Sequence, residues 1–203
     1  MLQKRRVFMK YKRKIKQLSI SLLLFAVLLF TFTACGASEG NKSASAEITV
    51  TNVLGDFEST DMDGNAVDKS IFSDKTLTMV NIWGTFCDPC IKEMPDLGEI
   101  NREYADKGFQ VVGIPVDLPD TSDSFEDYKI TTAKDIIAST KADYLHIMPS
   151  PDLSEAKLND VDAVPETIFV DKDGNQVGES YLGSRSKDDW TAIIDALLVS
   201  MNK

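Results

Sequence analysis

Apolar positions fall into short runs whose period changes along the chain. Thr76 to Trp83 (TLTMVNIW) is mostly apolar and rich in β-branched residues, the pattern of a strand buried on both faces. From Cys87 to Lys107 the period lengthens. Ile91, Met94, Leu97 and then Ile100 and Tyr104 recur at three- and four-residue steps, which predicts a helix that stops at Gly108. Phe109 to Val116 (FQVVGIPV) predicts a second buried strand. The acidic stretch Asp117–Asp127 reads as a loop, Thr132–Lys141 as a helix, Tyr144–Met148 as a short strand or turn and Asp152–Leu158 as a short helix. Val164–Val170 and Gln176–Tyr181 flank Asp171-Lys172-Asp173-Gly174-Asn175, a hairpin signal. Ser186–Ser200 predicts an amphipathic helix with Trp190, Ile193, Ile194, Leu197 and Leu198 on one stripe and Ser186 as its cap. Upstream, Ile48–Asn52 alternates like a short strand, and Phe57–Val67 carries the turn pair Asp63-Gly64 between extended pieces. No internal repeat is present. Strand, helix, strand, helix, hairpin and final helix predict an α/β architecture with one mixed sheet flanked by helices.

The first 34 residues follow a different rule. They hold eight Lys or Arg and no acid, and an uncharged, largely apolar run extends from Gln17 to Ala34. A basic segment followed by an apolar one reads as a secretory signal whose positive end stays in the cytoplasm. Phe32-Thr33-Ala34-Cys35 resembles a bacterial lipobox, which implies lipid on the Cys35 sulfur after cleavage. The same run read as an uncleaved anchor, or Cys35 read as incidental in a soluble secreted protein, equally puts the domain outside the cytoplasm. The expected organisation is a lipoprotein-type signal peptide over 1–34, a flexible small-residue tether over 35–47 and a folded domain over 48–203.

Charge narrows the partners. With the eight leader residues set aside, 14 of the 22 basic side chains face 32 acidic ones, a formal charge of −18. A surface that acidic repels nucleic acid. Cysteine usage narrows the chemistry. Of three cysteines, lipid on Cys35 leaves Cys87 and Cys90, too few for a four-ligand zinc site, and His146 is the chain's one histidine. His146 reads as a structural residue, and no metal site or cofactor is expected.

The spacing Cys-x-x-Cys is shared by several chemistries, so position decides among them. Cys87 directly follows a predicted strand and opens a predicted helix. First-turn N–H groups and the positive end of the helix dipole stabilise an anion there, which favours a Cys87 thiolate as nucleophile. Cys90, one turn on, is close enough to resolve the mixed disulfide that follows. Pro89 sits in the first turn, where its missing N–H costs nothing. A c-type haem site needs His where this chain has Ile91. Asp88, between the cysteines, disfavours a second anion, and the expected result is a higher Cys87 pKa and a more reducing couple.

Asn81-Ile82-Trp83-Gly84-Thr85-Phe86-Cys87-Asp88-Pro89-Cys90-Ile91-Lys92-Glu93-Met94-Pro95 resembles the active-site block of the TlpA/ResA-like family of membrane-tethered thiol–disulfide oxidoreductases. The similarity runs from about Asp56 to the last helix. It implies a thioredoxin-like fold with an N-terminal β-hairpin and a central insertion. Val164-Pro165-Glu166-Thr167 resembles that family's cis-proline loop, which implies that Pro165 is cis, packs against Cys87 and presents backbone to an incoming peptide. Asn81 stands where thioredoxins carry a buried Asp, while Glu93 matches the family's Glu and is the candidate proton relay, against the alternative of an exposed helix-surface carboxylate. Trp83, Phe86, Asp88, Pro89 and Val164 are supporting residues, and Phe86, replacing a more usual Trp, is expected to keep an apolar cover.

By the same resemblance the expected activity is reduction of protein disulfides outside the membrane by a monomer. A CcdA-like or DsbD-like membrane protein would supply electrons, and substrates would be apocytochrome c, oxidised methionine sulfoxide reductases or sporulation proteins. Rival readings are a disulfide oxidase, a thiol peroxidase and a copper-delivering lipoprotein of the Sco type. The peroxidase pattern needs Thr where this chain has Gly84, and the Sco type has three residues between its cysteines rather than two.

Overall fold

The computed structural model describes residues 52–119 and 127–201. Cys35, the proposed leader and the tether lie outside the described residues, as does all of the expected Ile48–Asn52 strand but Asn52, which bridges Asn175. Two three-residue strands, β1 (Glu58–Thr60) and β2 (Ala66–Asp68), form an antiparallel hairpin of their own. Asp61 closes its turn by accepting the N–H groups of Asp63 and Asn65 on one carboxylate oxygen. The main sheet has five strands in the order β5-β4-β3-β6-β7, where β3 is Leu77–Trp83, β4 Phe109–Pro115, β5 Leu145–His146, β6 Glu166–Val170 and β7 Tyr181–Leu182. Its β3–β4 and β4–β5 pairs are parallel, and its β3–β6 and β6–β7 pairs antiparallel. This is the mixed sheet expected.

All seven residues of β3 are buried, because it is central and both of its faces are covered. Leu77, Met79 and Trp83 pack into one apolar cluster with Met94, Leu97 and Ile100 of α1 (Asp88–Tyr104) and with Trp190, Ile194 and Leu198 of α4 (Lys187–Met201). Val80 and Ile82 point the other way, into a cluster with Phe57, Phe72 and Leu153. Alternation along one strand thus builds two half-cores. Two further helices, α2 (Asp127–Thr140) and α3 (Pro151–Ala156), flank β5 in sequence. Among the described residues no helix is long and apolar enough to cross a membrane.

Three elements differ from the sequence-based expectation. Helix α2 starts five residues before Thr132, through a stretch without apolar periodicity. The short helix expected over Asp152–Leu158 is split, with α3 ending at Ala156 and a 3₁₀ turn over Leu158–Asp160. The strand expected over Gln176–Tyr181 pairs only as a bridge at Gln176, breaks at Gly178 with φ +75°, and resumes as β7. Ser186 caps α4 as expected, accepting the Asp189 N–H at 3.3 Å.

Candidate active site

The end of β3 delivers the chain into a short loop and then into α1. Trp83 keeps the sheet register to its last residue, and its carbonyl accepts the Val116 N–H at 2.8 Å. Asp117 holds the loop from below, accepting both the backbone N–H and the hydroxyl of Thr85. Cys87 occupies the N-cap of α1, and Cys90 sits in the first turn. The two are joined by a disulfide with Cα atoms 5.3 Å apart. The Cys90 N–H donates to Cys87 Sγ at 3.2 Å, in the place a hydroxyl or carboxylate cap usually takes. A thiolate formed at that sulfur on reduction would keep the bond and gain the helix dipole. Cys90 is fully buried and Cys87 nearly so. Asp88 and Pro89 are exposed on the first turn.

The loop carrying Val164 approaches from β6. The Val164–Pro165 peptide is cis, and the Val164 carbonyl oxygen lies 3.6 Å from Cys87 Sγ. Pro165 is buried, and its carbonyl accepts the Gly183 N–H at 2.9 Å. A feature the sequence did not signal supports this loop. Lys157 reaches Glu166, the residue after the proline, at 2.6 Å, with side chains only 13% and 7% exposed. Phe86 does not sink into the core. It is 69% exposed, and its ring lies where a Cβ on Gly84 would stand.

Glu93 is inside, not on the helix surface. It is 3% exposed, which removes the alternative of a solvated carboxylate beside Lys92. One oxygen accepts from Asn81 Nδ2 at 3.1 Å; the other accepts from the Arg185 N–H at 3.1 Å and from Trp190 Nε1 at 3.3 Å. Asn81 Nδ2 is also 3.2 Å from the Thr167 hydroxyl. The Arg185 guanidinium stacks on Trp190 and Tyr181, with its central carbon 5.1 and 4.9 Å from the two ring centres. Burial pushes the Glu93 carboxyl above its ordinary range, and the bonds from Arg185, Trp190 and Asn81 pull the other way without winning. The raised carboxyl thus sits inside the protein, one helical turn along α1 from Cys90. Arg185 had no local sequence signal, and Thr167 was visible only as part of the cis-proline motif. Asn81, a polar residue inside an apolar strand, was the visible half of this cluster.

His146 ends β5 as a buried residue with its Nε2 3.1 Å from the Ala142 carbonyl oxygen. Since a carbonyl only accepts, Nε2 carries the proton. Among the described residues no group of three or more His, Cys, Asp or Glu is placed to hold a metal ion.

A bridged cysteine pair at a helix N-terminus, facing a cis-proline on a thioredoxin-like sheet, defines a thiol–disulfide oxidoreductase. Comparison with known proteins agrees. The family model described as Redoxin matches residues 49–198, and the chain belongs to that family. The chain is 26% identical over 182 residues to the thiol-disulfide oxidoreductase ResA of Bacillus cereus, covering 89% of this chain and 94% of that one. Among solved structures it resembles a thioredoxin-family thiol:disulfide interchange protein from Chlorobium tepidum (TM-score 0.58, 26% identity, 70% of this chain and 93% of that one). A secreted thiol-disulfide isomerase from Corynebacterium glutamicum matches with TM-score 0.57 and 26% identity, over 74% of this chain and 86% of that one.

Proposed function

We propose that this oxidoreductase works outside the cytoplasm, tethered to the membrane by lipid on Cys35 once residues 1–34 are removed, and that it reduces disulfides in other proteins. The observation that carries the reductive exchange is the meeting of Cys87 Sγ, the Cys90 N–H and the Val164 carbonyl beside cis-Pro165. In the reduced protein the Cys87 thiolate attacks a substrate disulfide, forming one S–S bond to the substrate and releasing one substrate thiolate. Val164 and Pro165 offer the substrate backbone an edge to pair with. Cys90 then loses its proton to the Glu93 carboxylate and attacks Cys87 Sγ. The mixed disulfide breaks, the second substrate thiolate leaves, and the Cys87–Cys90 bond is restored. The two electrons end on the substrate sulfurs, which take up protons from solvent. The cysteine pair is itself the redox centre, so the cycle calls for no further cofactor.

Re-reduction requires a dithiol donor on the same side of the membrane, the role a CcdA-like or DsbD-like carrier would fill. Disulfide-bearing apocytochrome c or a methionine sulfoxide reductase fits the substrate role. The basic–apolar leader and the lipobox-like Phe32-Thr33-Ala34-Cys35 support the location, and the resemblance to a secreted isomerase points the same way. The test has two parts. The equilibrium potential of the Cys87–Cys90 couple should fall toward the thioredoxin end, about −270 mV, and a value near about −120 mV would sink the reductase direction. A Cys90→Ala variant should hold its substrate as a mixed disulfide through Cys87. Recovery of no protein adduct, alongside normal turnover of small disulfides, would refute the protein-substrate reading.

A further inference from the structure

Among the described residues, four buried side-chain atoms lack a hydrogen-bond partner: Asn81 Oδ1, Trp83 Nε1, Tyr144 OH and His146 Nδ1. They are not scattered. Asn81 is in register with Gly113, and Gly113 with His146, so one row crosses β3, β4 and β5 on the face that α1 covers. Trp83 lies two residues from Asn81 along β3, hence on the same face, and Tyr144 immediately precedes β5. The rings of Tyr144 and His146 stack with centres 4.5 Å apart, and Trp83 meets His146 edge-on at 5.7 Å. Gly113 makes the room, since a Cβ there would stand 2.3 Å from His146 Nδ1. Glu93 is bonded to the Asn81 end of this row, and burial first and then the Glu93 charge raise the Tyr144 hydroxyl above its ordinary range. At the other end a cleft of about 280 Å³ opens to solvent, lined by Asp61, Asp63, Lys134, Ile137, Tyr144 and His146.

Buried polar atoms without partners are costly, and four on one patch call for a function or a ligand. The set is two acceptors (Asn81 Oδ1 and His146 Nδ1), one donor (Trp83 Nε1) and one hydroxyl that is both, which is what water molecules bridge. Topology supplies the need. The Val164–Pro165 loop, on the β6 side of β3, is covered whenever a substrate is docked, whereas β5 lies at the opposite edge of the sheet. A proton taken from Cys90 by Glu93 has to leave before the next cycle, and the β5 edge offers it an exit even while the docking side is still covered. We infer that the Tyr144 hydroxyl, with water held by His146 Nδ1 and Asn81 Oδ1, forms a proton path from Glu93 to the cleft at the β5 edge. The path moves one proton per cycle from the Glu93 carboxyl to solvent and returns Glu93 to the carboxylate. Tyr144 and His146 act through Glu93 and are positioning residues. The titratable and charged groups along the path are Glu93 from α1, Tyr144 and His146 at β5, Asp61 and Asp63 from the hairpin turn, and Lys134 from α2; Arg185 faces Glu93 from the side of α4.

The inference rests on the assignment of Glu93 as proton acceptor, and the experiment separates the two. Resolution of a mixed disulfide with a disulfide-bonded peptide is followed by stopped flow in the full-length protein, in H₂O and in D₂O. Tyr144→Phe should slow resolution about tenfold and enlarge the solvent isotope effect, a loss at the low end of acid–base contributions. His146→Leu should act in the same direction, while His146→Gln, which keeps an acceptor, should stay near wild type. The potential of the cysteine couple should not move in Tyr144→Phe, since the substitution leaves the cysteine pair and the ring packing intact. Resolution by Tyr144→Phe at the wild-type rate with an unchanged isotope effect would overturn the path. If Glu93→Gln also resolves at the wild-type rate, the assignment of Glu93 fails and the path falls with it. If Glu93→Gln is slow and Tyr144→Phe is not, the path alone is refuted.

Discussion

Acidification probes the environment of His146, and a single histidine in the chain makes the readout specific. The ring is 4% exposed, and burial lowers its pKa from 6.5 to about 4 against a smaller raising effect of the Ala142 carbonyl. In the unfolded chain the same ring titrates near 6.5. Proton counting gives the sign. Between the two values the unfolded chain holds the proton and the native state does not, so stability falls with pH from about 6.5 down to about 4. At about 1.4 kcal/mol per unit the whole window is worth about 3 kcal/mol, and about 2 kcal/mol of it is gone by pH 5. That is a large share of a typical total of roughly 5–15 kcal/mol.

Urea-unfolding free energies of the oxidised protein at pH 5 and pH 7.5, for wild type and His146→Gln, isolate the effect. The wild type should lose about 2 kcal/mol more than the variant over that interval. Glu93 acts in the opposite sense, because a raised carboxyl binds its proton first in the native state and is stabilising toward low pH. It is present in both proteins and cancels in the difference. The Cε1–H resonance of the folded protein should stay unmoved through pH 6. A midpoint near 6.5 in the native state, or equal pH slopes in the two proteins, would refute the buried neutral imidazole.

Two further outcomes test the packing around the site. Gly113→Ala should destabilise the protein by roughly 1–3 kcal/mol, because its Cβ meets the His146 ring at 2.3 Å, and the penalty should shrink in a Gly113→Ala/His146→Ala double variant measured in the same thermal scans. Truncating Lys157 to Ala should cost about 3–5 kcal/mol by leaving Glu166 charged and buried, whereas Lys157→Met with Glu166→Gln should recover most of it; equal losses in the two would deny the ion pair its place under the cis-proline loop.

How much of this was legible in the sequence depended on the range of the contacts that decide each feature. The strand β3, the helix α1 and its Cys-x-x-Cys start follow from local periodicity, because neighbours in sequence already alternate or repeat correctly. The early start of α2 was not legible, since Asp127–Thr131 presents no apolar stripe, nor was the break at Gly178. The burial of Glu93 depended on partners 12, 92 and 97 residues away, so the helix period alone left it open between a core and a surface position. Lys157 and Glu166 are nine residues apart, and nothing local marks them as a pair. One signal did reach across that gap. Asn81 is a polar residue in a strand whose every other side chain is fit for burial except Thr78, and a buried amide without partners is costly. Such a residue predicts a polar environment before any partner is known. The fold supplies Glu93 and Thr167 for its nitrogen and leaves its oxygen without a hydrogen-bond partner, in a row that runs through Gly113 to His146. The polar position in the central strand therefore marks both the proposed proton acceptor of the cysteine pair and the direction in which the proposed path carries that proton away.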